Sequence, residues 1–172
     1  MNRRNTINLS AITALGLAFS LNSAVAQTKP LKDQLVGTWT VVSWEQTNKD
    51  GGKQQDFGSN PKGVASFDAN GHFFVMFARP DLPKIASPDR TKVSPQEAQA
   101  INVGSIAYFG TYTLDEPSKT VSLRIESSTY PNQLGAEAKR VIKSITADEL
   151  KYTNTTPVSG GGSIDTTFKR AK

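Results

Sequence analysis

The feature that most restricts the fold of this sequence is a series of short segments in which apolar and polar residues alternate with a period of two. Such alternation is typical of β-strands with one buried face. The connections between the segments are short and contain Gly, Asn, Asp or Pro, as antiparallel neighbours require. The segments are residues 38–47, 61–68, 72–79, 109–114, 120–127, 137–146, 149–156 and 163–170. About eight antiparallel strands form a sandwich or a barrel, and barrel closure removes the exposed edges. We therefore predict an all-β fold, a closed antiparallel barrel of about eight strands.

One strand and one helix depart from this pattern. The strand at residues 72–79 is apolar on both faces, which predicts that one face points into the barrel and that the other is covered. The sequence contains one plausible long helix, from Ser94 to about Ile106. Ser94 is a good N-cap, Pro95 occupies the first helical position and Glu97 completes a capping box. We expect this helix to cover the outer face of the strand.

The start of the chain has the pattern of an export signal. An arginine pair precedes an uncharged, mostly apolar stretch at residues 7–21, and residues 24–26 read Ala-Val-Ala. The apolar stretch is shorter than the roughly 20 residues that span a bilayer. Residues 1–26 are therefore predicted to be a cleaved signal peptide and residues 27–172 a single mature domain. This predicts a periplasmic or secreted protein with no membrane span after cleavage.

Composition argues against several classes of function. The net charge of the predicted mature domain is only about +3, and no run of five like charges occurs, so we predict no nucleic-acid partner. Cysteine is absent and His72 is the one histidine, so neither a disulfide framework nor a zinc site is expected. No nucleophile elbow or phosphate-binding loop occurs. We predict no metal, no cofactor and no identifiable catalytic residue.

Several motifs resemble one known family. Gly37-Thr38-Trp39 on the first strand matches the Gly-x-Trp signature of lipocalins. Further matching segments follow in one order and spacing: Asn60-Pro61-Lys62-Gly63, Asp68-Ala69-Asn70-Gly71, Ala78-Arg79-Pro80, Ser94-Pro95-Gln96-Glu97-Ala98, Ala107-Tyr108-Phe109-Gly110-Thr111-Tyr112, Tyr130-Pro131-Asn132 and Phe168-Lys169-Arg170. Over residues 35–170 the chain resembles the bacterial and fungal lipocalin-like domain family. The resemblance implies a lipocalin-like β-barrel with one helix. It implies no single activity, because one fold hosts many functions.

The resemblance also suggests structural roles for Gly37, Trp39 and Arg170. In lipocalins an arginine near the end of the last strand packs across the signature tryptophan and closes one end of the barrel by a cation–π contact. Arg170 is the residue that would do so here. The alternative is that Trp39 is an ordinary core residue and Arg170 a solvated terminal one.

Candidate ligand-binding residues are polar side chains near predicted core positions or on loops at a barrel end. They are Arg79, Tyr108, Tyr112, Glu126, Tyr130, Asn132 and Arg140. If Arg124, Glu126 and Arg140 point inward, they line a polar pocket able to orient an acid or enol ligand. If they point outward, they form a cross-strand charge ladder. The outward arrangement is favoured because Arg and Glu are rarely buried. Residues 80–93 are long and proline-rich enough to form a lid or rim.

Three functions fit these features, and we predict the first. It is binding of a small, largely apolar molecule in a barrel pocket by a monomer or weak homodimer. The second is a cofactor-independent isomerase, cyclase or dehydratase, with Arg79, Tyr108, Tyr112, Glu126 and Arg140 as acid, base and anion-stabilising groups. The third is a protein-interaction module that uses the doubly apolar strand and the helix.

Overall fold

The described part of the chain forms nine antiparallel strands, and eight of them close into a barrel. The structure is a computed structural model that describes residues 29–157 and 160–172, so the predicted signal peptide lies outside the described residues. The strands are β1 (Gly37–Thr47), β2 (Lys53–Gln54), β3 (Lys62–Phe67), β4 (His72–Ala78), β5 (Ser105–Asp115), β6 (Thr120–Ser128), β7 (Glu137–Ile145), β8 (Glu149–Asn154) and β9 (Ser163–Arg170). The helices are α1 (Leu31–Leu35) and α2 (Pro95–Gly104), with 3-10 turns at Arg90–Lys92 and Pro131–Gln133.

Strand pairing confirms the predicted closed antiparallel barrel. From β3 to β9 each strand pairs with the next in the chain, β3 pairs with β1, and β1 also pairs with β9, which closes the sheet on itself. The two-residue strand β2 pairs only with the far end of β1 and is the ninth strand. The strand β2 was not predicted, because its two residues, Lys53 and Gln54, are both polar and show no alternation.

The barrel has one closed end and one open end. At the closed end α1 precedes β1, and the interior is filled by apolar side chains, so this half is a packed core. The core residues there include Leu35, Trp39, Ala65, Phe67, Phe73, Val75, Val121, Leu123, Leu150 and Phe168. At the open end β4, β6 and β8 finish and β3, β5, β7 and β9 begin, and α2 leads directly into β5. This arrangement leaves the open half of the barrel to hold the site.

The predicted position of the helix is wrong. The side chains of β4 alternate between the buried interior and the surface, and on its outer face Phe74 and Met76 are 39% and 44% exposed. Phe109, the β5 partner of Phe74, is 48% exposed. Because α2 runs into β5 without a loop, it lies at the open end and leaves this outer apolar face uncovered. Within residues 29–157 and 160–172, no helix is long and apolar enough to cross a membrane.

Candidate ligand-binding site

The open half of the barrel encloses a cavity of about 660 Å³. A cavity of this size suits a small organic molecule. Its apolar walls come from inward-facing barrel residues and from segments at the open end; they include Trp44, Phe57, Phe77, Ile85, Val93, Ile101, Ile106 and Ile164. Its polar lining includes Tyr108, Gln133, Arg140, Tyr152, Asn154 and Thr166. The site is therefore mainly apolar, with a few polar groups that point inward.

A buried arginine and two tyrosines form the floor of the cavity. Arg140 on β7 is 6% exposed, and Tyr108 on β5 and Tyr152 on β8 are also buried. The Tyr108 ring packs on Phe73 and the Tyr152 ring on Phe168, with centroids 5.9 and 5.2 Å apart. Both phenylalanines belong to the closed core, so the three polar residues lie at the boundary between core and cavity.

The Arg140 guanidinium contacts neutral groups. One terminal nitrogen donates to the carbonyl oxygen of Lys139 at 3.1 Å, and the other donates to the Tyr108 hydroxyl at 3.3 Å. The carbon of the guanidinium lies 5.9 Å from the centre of the Tyr152 ring. None of the ion pairs among the described residues involves Arg140.

The protonation states of Arg140 and Tyr152 make this floor positively charged. Burial by itself lowers the pKa of Arg140, but its interactions with the Tyr108 and Tyr152 hydroxyls outweigh burial and hold the pKa above its ordinary value. Burial raises the pKa of Tyr152. At neutral pH the floor therefore presents one guanidinium cation and a neutral Tyr152 phenol.

The mouth of the cavity is formed by α2 and the segment before it. Glu97 closes the N-terminus of α2 in a capping box with Ser94, as predicted, and also accepts a hydrogen bond from the backbone N–H of Ala86 at 2.8 Å. This links the irregular segment to the helix. Arg90 is exposed and Asp56 partly exposed at the rim, and Asp56 accepts a hydrogen bond from Gln54. The mouth thus carries one charge of each sign in contact with water.

Three of the seven predicted binding residues line the cavity: Tyr108, Arg140 and Tyr130. Tyr130 lies on the loop after β6, at the open end. Arg124 and Glu126 point outward, as favoured, but the grouping of Arg140 with them is wrong. Arg140 is paired across the sheet with Val121, an inward residue, so it shares the inner face.

The other four predicted residues lie outside the cavity. Arg79 is exposed outside the barrel and forms an ion pair with Asp81 at 3.0 Å. The Tyr112 hydroxyl donates to the carbonyl oxygen of Asp68 at 2.6 Å, near the closed end. Glu126 and Asn132 are exposed. Because backbone pairing fixes where each strand side chain points, the structure does not bring the five groups of the proposed acid–base site together.

The polar cavity residues that sequence reasoning missed include three on the last two strands, namely Tyr152, Asn154 and Thr166. Each follows buried apolar positions of its strand with two-residue spacing, such as Leu150 before Tyr152. The clearest signal was in β8, whose inward face turns polar from Leu150 to Asn154 towards the open end and so indicates a cavity at that end.

The closed end contains the contact that the resemblance implies between Arg170 and Trp39. The Arg170 guanidinium lies 4.0 Å from the centre of the indole, and the indole N–H donates to the carbonyl oxygen of Leu35 at 2.9 Å. Gly37 has a φ of +131°, and a Cβ there would lie 2.7 Å from a guanidinium nitrogen. A glycine at this position therefore allows the arginine to approach the tryptophan.

Metal-binding groups are not apparent in the described part of the chain. No set of three or more His, Cys, Asp or Glu side chains lies close enough together there to hold an ion.

Comparison with solved structures found several chains of low sequence identity. A lipocalin-like protein from Bacteroides uniformis is 14% identical, covers 80% of this chain and 99% of its own, and has a TM-score of 0.44. A redesigned β-barrel is 20% identical, with coverages of 83% and 96% and a TM-score of 0.43. Another redesigned barrel, bound to the small molecule DFHBI, is 19% identical, with coverages of 82% and 99% and a TM-score of 0.41.

Functionally curated proteins include no match to this sequence. The model of one protein family, described as a lipocalin-like domain, matches residues 36–170. The match spans most of the chain and nearly all of the barrel. The chain therefore belongs to the lipocalin-like domain family.

Proposed function

We propose that this protein binds one small, largely apolar molecule in the open half of its barrel. The observation that carries the proposal is the cavity of about 660 Å³. Small-molecule sites are concave, mostly apolar and equipped with a few placed polar groups, and this cavity has each of these properties. The neighbouring half of the same barrel is filled by side chains, so the empty volume is confined to one end.

Export is part of the proposal. The arginine pair, the uncharged apolar stretch and the Ala-Val-Ala pattern at residues 24–26 support a signal peptide that is removed before the protein acts in the periplasm or outside the cell. N-terminal sequencing of the protein recovered after expression of the full chain tests this. A new terminus at Gln27 is expected, and an intact Met1 terminus contradicts export by this route.

Binding can be tested with N-phenyl-1-naphthylamine, a neutral probe whose fluorescence rises in apolar surroundings. We expect saturable uptake of one probe per chain. Ile106 lines the cavity, so Ile106→Trp fills part of it and should weaken probe binding at least about tenfold, because added volume in an occupied site forces strain. Circular dichroism and thermal unfolding show whether the variant keeps its fold.

The exposed apolar face of the barrel provides the matched control. Phe109 lies on that outer face and does not line the cavity. Phe109→Ser should therefore leave probe affinity unchanged. If Phe109→Ser abolishes binding while Ile106→Trp does not, the probe adsorbs to the surface and the proposed cavity function is wrong.

A further inference from the structure

The buried positive charge of Arg140 at the floor of the cavity indicates the charge of the ligand. A buried guanidinium is costly unless an acid neutralises it, and buried arginines are therefore normally paired. Arg140 is buried, points into the cavity and has only neutral groups as partners: the Tyr108 and Tyr152 hydroxyls and the Lys139 carbonyl. No acid among the described residues forms an ion pair with it.

The chain itself does not supply an acid to balance this charge. All 15 Asp and Glu residues of the sequence fall between Asp33 and Asp165, within the described residues. Those residues form five ion pairs in which a side-chain nitrogen lies within 4.0 Å of a carboxylate oxygen, and Arg140 takes part in none of them. Asp56 is the one acidic residue that lines the cavity, and it lies at the rim, where it accepts a hydrogen bond from Gln54. The missing negative charge is most simply that of a ligand.

The hydrogen-bonding groups around Arg140 suit an oxyanion. A guanidinium has five N–H donors, and the described hydrogen bonds use only part of this capacity. Its planar fork matches a carboxylate, and hydrogen bonds between charged partners are about twice as strong as neutral ones. The Tyr108 and Tyr152 hydroxyls lie beside it and can donate to the same anion. Beyond them, Phe77, Ile106 and Ile164 offer an apolar wall.

We propose that the ligand is a monocarboxylic acid with an apolar body, bound with its carboxylate on Arg140 and its body toward α2. This inference rests on the proposed binding function and adds the charge and orientation of the ligand. One buried cation selects a single negative charge. The rim carries the opposite charges of Arg90 and Asp56, so the buried Arg140, which has no ion pair among the described residues, is the group that favours the orientation with the head at the floor.

The test compares dodecanoate with dodecan-1-ol as competitors of N-phenyl-1-naphthylamine at pH 8. The two share a chain length and differ in charge. In the wild-type protein dodecanoate should compete at least about tenfold more strongly, given the strength of hydrogen bonds to charged groups. Arg140→Met should reduce this ratio to about one, chiefly through a loss of affinity for dodecanoate.

Arg90→Met is the matched control, because Arg90 also lines the cavity but is exposed at the rim. It should keep the preference for the acid. If acid and alcohol compete equally in the wild-type protein, or if Arg140→Met keeps the preference, the inference is wrong although the cavity binds ligands. If the neutral probe, the acid and the alcohol all fail to bind, the proposed function fails as well.

A second measurement does not depend on the folding of a variant. In wild-type protein, ¹³C NMR of carboxyl-labelled dodecanoate reports the pKa of the bound acid. A neighbouring guanidinium favours the ionised form, so the pKa of the bound carboxyl should lie below that of the free acid. A bound carboxyl that titrates at or above the free value contradicts contact with Arg140.

Discussion

Replacing Arg170 by methionine should remove the contacts that close one end of the barrel. Its guanidinium donates to the carbonyl oxygens of Gln34, Val36 and Ala147 at 2.7, 3.0 and 2.5 Å, and it lies 4.0 Å from the centre of the Trp39 indole. These contacts join the segment before β1, the turn before β8 and the last strand. The side chain therefore links parts of the chain that are far apart in sequence.

The size of the effect follows from these contacts. A hydrogen bond from a charged group contributes roughly 1.5–3 kcal/mol, and a partly exposed cation–π contact roughly 1 kcal/mol. Water can reach part of this end once the arginine is gone and can replace some of the lost hydrogen bonds, since Arg170 is only partly buried. We therefore expect Arg170→Met to lower the free energy of unfolding by about 3 kcal/mol.

Urea unfolding followed by tryptophan fluorescence measures this loss. Lys169→Met is the matched control, because Lys169 is the preceding residue and is exposed, and it should change stability by less than about 0.5 kcal/mol. Arg170→Lys keeps the charge but not the planar fork, so it should recover only part of the loss. If Arg170→Met and Lys169→Met have the same small effect, Arg170 is a solvated terminal residue and the reasoning is refuted.

Three further results are expected. In urea unfolding of the empty barrel, Arg140→Met should leave the free energy of unfolding unchanged or raise it by about 1 kcal/mol, because it removes a buried charge that has no ion-pair partner among the described residues. A loss of more than about 2 kcal/mol would show that Arg140 mainly supports the fold. Gly63→Ala should cost about 3 kcal/mol or more in the same assay, because Gly63 has a φ of +155° and an added Cβ would lie 2.0 Å from the Met76 carbonyl oxygen. Hydrogen bonds from the Ala86 amide and from the Ser94 capping box lower the pKa of the Glu97 carboxyl below its ordinary value of 4.5. The ionised carboxylate therefore stabilises the fold above pH 4.5, and this stabilisation is lost as the pH falls through the lowered pKa. The Ala86 amide should therefore be less protected from hydrogen exchange in acid, and Glu97→Gln should remove this pH dependence. If the variant keeps the pH dependence, Glu97 is not its cause.

The barrel could be predicted because its strands alternate regularly. In β6, Val121, Leu123 and Ile125 are buried and Arg124 and Glu126 are exposed, as the two-residue period requires. The start of α2 was equally clear, since Ser94 and Glu97 form the predicted capping box. These are local signals, and local backbone geometry decides them.

The site was harder to predict because it depends on pairing between strands. The two-residue period of β7 puts Arg140 on the same face as Ala138 and Ile142, but its charge favoured a position on the surface. In the structure, its pairing with the inward-facing Val121 places Arg140 inside the barrel. The outer face of β4 was misjudged for a related reason. Phe74 and Met76 read as core residues, but the helix that would cover them leads into β5 and lies at the open end.

The most direct test of ligand binding is native mass spectrometry of the protein purified from its own source, followed by denaturing extraction. We expect one small organic acid per chain, released on denaturation and recovered in smaller amount from the Ile106→Trp variant. A protein that is recovered empty and that takes up neither N-phenyl-1-naphthylamine nor dodecanoate would contradict the proposed binding.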